Sequence, residues 1–240
     1  MIRILPFLTL IATAGFLISP FLTDPFSGFD PARFPVPQVD PPVQPAGYAF
    51  GIWGLIYLWL GVSALAGVMG RRGDRAWARV QVPLVLSLGP GAFWLWLAGV
   101  NPPAATALIL WMTGCALWAL FAAPRRDRWL LQAPVALYAG WLTAASAVSI
   151  GVQLGGYGVF TPEWAAVVAL AGGVMIALSV ALTLPHAPEY ALAVIWALLG
   201  VLVANLGGSL LVLGVAGAAL LAMGAVAVFG LRAGQGRAAL

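Results

Sequence analysis

Apolar residues fill long unbroken runs of this chain, and polar residues fall in short breaks between them. The runs lie at about 4–22, 47–69, 80–100, 105–122, 130–151, 163–184, 189–205 and 208–231. A helix needs roughly 20 apolar residues to cross a bilayer, and lipid forces every backbone polar group to be satisfied within its own segment. The pattern predicts an all-α integral membrane protein with about eight transmembrane helices. The short alternating segments of a membrane β-barrel are not seen in the sequence. Arg3 and the apolar stretch after it look like a signal peptide. That stretch closes on Ile18-Ser19-Pro20-Phe21-Leu22, without the small-x-small pattern of a cleavage site, so it reads as a retained first helix.

Composition and charge sharpen this picture. Hydrophobic residues make up 62% of the 240 and charged residues only 8%, against roughly 25% charged in a soluble domain. All eleven basic residues are arginine, and they cluster at the ends of the runs. With the N-terminus inside, Arg3, Arg71, Arg72, Arg75, Arg79, Arg125, Arg126, Arg128, Arg232 and Arg237 all face the cytoplasm and Arg33 faces out. This is the positive-inside pattern, so both termini are expected in the cytoplasm. The net charge of +4 is then a topology signal, and no nucleic-acid partner is expected. Cys115 has no second cysteine to pair with, and His186 is the single histidine, so neither a disulfide framework nor a His/Cys metal site is expected.

Three local features stand out. The connection 23–46 holds seven prolines and three aspartates, with Phe26, Phe29 and Phe34 between them. Exposed aromatics beside a membrane seldom stay free, so the segment is expected to pack over helix ends as a lid with its phenylalanines inward. Thr161-Pro162-Glu163 carries the cap, first-turn proline and acidic residue that open a helix. Gly89-Pro90-Gly91 interrupts the third run, where proline must kink a helix and free a carbonyl.

Catalytic candidates are scarce. No ionisable residue falls near the centre of a run, whereas proton relays and ion-coupled transporters hold such groups at membrane depth. The polar residues within the runs (Ser63, Ser87, Thr113, Thr143, Ser146, Ser149, Ser179 and Asn205) suit helix packing, and no nucleophile–base pair can be assembled from them. No catalytic residue is assigned. What remains is aromatic. Trp53 and Tyr57 share a face of the second helix, as do Tyr138 and Trp141 on the fifth. Trp129 and Trp164 fit interface anchors, but Trp53 and Trp141 lie further inside their runs. With Phe50 and Trp94 as neighbours, these residues suit a pocket for a planar apolar ligand.

The segment Pro45-Ala-Gly-Tyr48-Ala-Phe50-Gly-Ile-Trp53-Gly-Leu-Ile-Tyr57-Leu-Trp-Leu-Gly61-Val-Ser63 resembles the second-helix signature of the tryptophan-rich sensory proteins, the TspO/MBR family. Pro134-Val-Ala-Leu-Tyr138-Ala-Gly-Trp141-Leu-Thr-Ala-Ala145 resembles that family's fifth helix. The chain departs from the family pattern at Gly91 and Ser149, where asparagine is usual, and in carrying three further helices. The resemblance implies a TspO-like five-helix core over 1–162, with the extracytoplasmic loop 23–46 covering the ligand pocket, and a three-helix extension over 163–240.

It also implies a membrane ligand-binding or sensory protein for a planar hydrophobic molecule, tetrapyrrole-like or isoprenoid-like, with a porphyrin as the candidate ligand. The implied site is Phe50, Trp53, Tyr57, Trp94, Tyr138 and Trp141, in the inner membrane of a bacterium. Membrane lipid is the implied surrounding partner, with a second copy or another membrane protein as further candidates. Gly214, Gly217 and Gly224 suit close helix packing, within the chain or between chains. Three other functions stay open: a transporter of such ligands, an enzyme on a lipid-soluble substrate for which the loop carboxylates Asp24, Asp30 and Asp40 are the candidate groups, and a structural subunit of a larger pigment complex.

Overall fold

The computed structural model describes residues 2–236, with side chains as far as Gly230. Its regular elements are helices: α1 Leu5–Ile18, α2 Ile52–Gly70, α3 Arg75–Gly91, α4 Trp94–Val100, α5 Pro102–Ala122, α6 Ala133–Gly156, α7 Pro162–Thr183, α8 Pro188–Ala204 and α9 Leu210–Gly236. α3 and α4 are two halves of one span, so the described residues form the eight apolar spans that the hydrophobic pattern expects. Six helical runs have the length and composition to cross a bilayer, while Leu5–Phe21 and Pro188–Ala204 are apolar but shorter. The run Arg125–Gly156 is 32 residues long. That exceeds the roughly 20 a bilayer needs.

Local chemistry sets several helix ends. Thr161 Oγ1 accepts from the Trp164 amide at the start of α7, with Pro162 in the first turn as the sequence predicts. Asn101 accepts from the Ala104 amide and opens α5. Asp74 accepts from the amides of Ala76 and Trp77 and opens α3. The kink expected at Gly89-Pro90-Gly91 is the break between α3 and α4. Pro90 has no amide to offer the Leu86 carbonyl. The Trp111 indole of α5 donates to that carbonyl instead, at 3.0 Å.

The chain divides into two units. The first comprises Met1–Phe26 and Ile52–Leu142, and the second Ser27–Gly51 and Thr143–Leu240. The division falls within α6 between Leu142 and Thr143, and most of the proline-rich loop groups with the C-terminal helices.

In the first unit α3 packs against α1 and α5, α2 against α1, and α4 against α5. Its arginine-bearing segments meet at one end. The Arg72 guanidinium lies 4.9 Å from the centre of the Phe7 ring. Asp127 accepts from Arg71 Nε at 3.1 Å, from Arg71 Nη2 at 2.9 Å and from Trp77 Nε1 at 2.7 Å. Asp74 pairs with Arg126. The Arg71 hydrogen bonds, then that of Trp77, hold the Asp127 carboxyl at about 2, and Asp127 in turn raises Arg71. Arg237 lies outside the described residues.

In the second unit α9 packs against α7 and α8. The loop binds the helices through its backbone. The Val36 amide donates to the Gly156 carbonyl at 2.9 Å, and the Ala46 amide to the Gly200 carbonyl at 3.0 Å. Asn205 Nδ2 donates to the Pro42 carbonyl, and Trp196 Nε1 to that of Ala49. Two glycines permit the close approach. A Cβ on Gly156 would collide with the Phe34 ring, and one on Gly200 would stand 2.8 Å from Pro45 and Ala49. Phe34, Gln38 and Val43 are buried, so the loop does pack on helix ends, those of α6 and α8. Within the chain the α9 glycines are not closely packed: a Cβ at Gly214, Gly217 or Gly224 would meet nothing within 4 Å.

Candidate functional site

Four of the six predicted aromatic residues converge in the first unit. Trp53 and Tyr57, one turn apart on α2, stack with centroids 5.3 Å apart and planes at 22°. Trp141 of α6 meets the Trp53 ring edge-on at 6.1 Å. Tyr138, one turn before Trp141, points to the same cluster. Tyr138 and Trp141 are buried, while Trp53 and Tyr57 are half-buried. The α2 pair is therefore the accessible wall and the α6 pair the floor.

The residue that joins them is Phe16 of α1. Its ring makes edge-to-face contacts with Trp53 at 5.7 Å, Tyr57 at 5.5 Å and Tyr138 at 5.9 Å. Sequence reading missed it, because a phenylalanine in an apolar run carries no signal of its own. A signal was nonetheless present. The buried residues of α1 are Pro6, Thr9, Thr13 and Phe16, spaced as one helical face. Two threonines on that face of an otherwise apolar helix mark it as the inward one.

The floor is held from behind. Ser87 Oγ donates to the Met112 carbonyl at 2.9 Å. Its one proton is thereby used, so Tyr138 is the donor in the 2.9 Å contact between the two hydroxyls. Thr113 reaches the Leu142 carbonyl at 3.2 Å, one turn beyond Tyr138. Gly91, where the family's asparagine is usual, gives Phe16 and Met112 room: a Cβ there would stand 2.7 Å from Met112 Cε and 3.3 Å from the Phe16 ring. A side chain at this position would press on the residue that joins the cluster.

The other two predicted residues stand at other junctions. Trp94, on α4, donates from its indole to the Ala105 carbonyl at 2.8 Å and meets the Phe26 ring edge-on at 5.0 Å. It fastens the start of the loop to the broken span. Phe50 belongs to the second unit, in the turn Gly47–Gly51, and is half-buried.

Within the second unit, Thr143, Ala147, Gly173, Val174, Val194 and Leu198 line a cavity of about 30 Å³. Its lining is almost wholly apolar, and it is too small for a ring. Tyr190 beside it donates to Thr143 Oγ1 at 3.1 Å. Chemically the aromatic cluster offers flat apolar faces and a Tyr57 hydroxyl. The residues in it carry no acid, base or metal-binding set, and no group of three or more His, Cys, Asp or Glu occurs among the described residues.

A family model described as TSPO-like protein matches residues 35–230. The match takes in the three C-terminal helices as well as the span that the two motifs cover. No curated protein and no solved structure shows a significant match to the chain.

Proposed function

The chain belongs to the family of TSPO-like proteins, and from that premise we propose that it is a membrane ligand-binding or sensory protein for a planar hydrophobic molecule, tetrapyrrole-like or isoprenoid-like. One observation carries the reading. Rings from α1, α2 and α6 gather around Phe16 with an accessible stacked pair, Trp53 and Tyr57, on a buried floor. Aromatic rings stack or meet edge-on with a flat ligand as they do with each other, and a largely apolar pocket with few polar groups suits such a ligand. The binding reading is preferred to transport because α3–α4 is interrupted whereas α6, α7, α8 and α9 are continuous. Transporters built on repeats break paired helices. The protein is placed in the cytoplasmic membrane with both termini inside, on the positive-inside rule.

The test is ligand-dependent quenching of tryptophan fluorescence. A porphyrin should quench saturably, and Trp141→Ala should weaken its binding by about 1–3 kcal/mol, the scale of one buried aromatic contact. Trp129→Ala should barely matter, since Trp129 is 63% exposed. A triple Asp24, Asp30 and Asp40→Asn variant should bind normally. If that variant loses function while Trp141→Ala keeps it, the chemistry resides in the loop and the proposal fails.

A further inference from the structure

From the placement of charge around the aromatic cluster we infer that this site selects uncharged planar ligands and discriminates against the same ring bearing carboxylates. The inference rests on reading the cluster as the binding site. The first unit holds eight arginines and three aspartates. Its arginines lie at the end where α1 and α3 begin and α2 and α5 finish. Arg71 and Arg126 are paired there with Asp127 and Asp74, and Gly73 lies beside the Arg3 side chain.

Trp53 stands in the first turn of α2, at the opposite end. Counting 1.5 Å per helical residue, Trp53, Tyr57 and Trp141 are on the order of 20–27 Å along their helices from the nearest arginine. No ion pair reaches that far, since paired charges lie within about 4 Å of each other. The unit's remaining acidic or basic residue, Asp24, follows the far end of α1 and is a carboxylic acid, not a cation.

A carboxylate brought against Trp53 and Tyr57 leaves water without a counter-charge from this unit. Partial desolvation of an unpaired ion is heavily penalised. The second unit's Arg33 has Asp30 at 3.7 Å, so its charge is already partly answered. An uncharged ring of the same shape keeps every stacking contact and meets none of this cost. Selection by ligand charge follows from where the arginines are not.

The experiment compares one ring in two charge states: protoporphyrin IX, a dicarboxylate at neutral pH, and its dimethyl ester. Tryptophan quenching is measured with the whole protein in zwitterionic-lipid nanodiscs, and partition into empty nanodiscs is subtracted. The ester should bind about tenfold or more tightly than the free acid, in line with the desolvation of two unpaired carboxylates. Trp141→Phe, checked for an unchanged melting temperature, should weaken both ligands by a similar factor and preserve the ratio.

Equal or tighter binding of the free acid, with both ligands still sensitive to Trp141→Phe and Trp53→Leu, overturns the charge inference and leaves the site reading standing. If the free acid's advantage then disappears in Arg33→Ala, Arg33 is its counter-ion and the inference is wrong for that reason. If neither ligand's binding responds to Trp141→Phe or Trp53→Leu, the site reading itself fails and the inference falls with it.

Discussion

Replacing Phe16 with alanine should cost more than any other single truncation on α1. The ring is 4% exposed and makes three edge-to-face contacts at 5.5 to 5.9 Å. Each aromatic pair contributes about 0.5–1.5 kcal/mol beyond burial. A buried Phe→Ala change in a soluble core costs about 3–5 kcal/mol. Part of that figure is transfer from water. In a bilayer this part largely vanishes, because lipid tails are as apolar as the core. What remains is the lost ring contacts and the cavity, so about 2–4 kcal/mol is expected. The assay is unfolding by a denaturing detergent titrated into bicelles, followed by near-ultraviolet circular dichroism. That signal also reports the stacked Trp53–Tyr57 pair, which should lose its fixed geometry. The comparison is Ile11→Ala on the same helix, where the side chain is 68% exposed and the cost should stay below about 0.5 kcal/mol. Equal effects of the two substitutions would refute the idea that Phe16 joins the cluster.

Other outcomes follow from the same contacts. The depressed Asp127 carboxyl, at about 2 against the usual 3.8, stabilises the fold above its unfolded value, and this is lost as pH falls from about 4 to about 2. Asp127→Asn should therefore lower the unfolding free energy at neutral pH by about 1–2 kcal/mol after solvent screening of the half-exposed Arg71, and the gap should close toward pH 2. Trp111→Phe leaves the Leu86 carbonyl without its donor and should cost about 1–2 kcal/mol. In a Pro90→Ala background the restored amide can reach Leu86, so the same change should cost less, and a full cost there would contradict the account of the kink. Reporter fusions at residues 3 and 237 should both read cytoplasmic, and a periplasmic C-terminus would show that the last spans are miscounted.

Much of the architecture was legible in one dimension. Lipid selects apolar runs of bilayer length, so the eight spans could be read from hydropathy. Thr161-Pro162-Glu163 and Gly89-Pro90-Gly91 act through the backbone of their own neighbours, so the start of α7 and the break before α4 could be read as well. Trp53 with Tyr57, and Tyr138 with Trp141, share helix faces at spacings that any α-helix imposes. Tertiary structure decided the rest. It put Phe16 between those pairs, moved Phe50 into the other unit, tied the loop to Gly156 and Gly200 through main-chain bonds, and left the α9 glycines open. It also joined Asp127 to Arg71 and Trp77 from distant parts of the chain. The physical reason is the solvent. In water, burial and hydrophobicity coincide, so a sequence discloses its core. In a bilayer the outside is as apolar as the inside, hydropathy cannot separate a lipid-facing ring from a packed one, and the choice is left to close packing and a few hydrogen bonds between residues far apart in the chain.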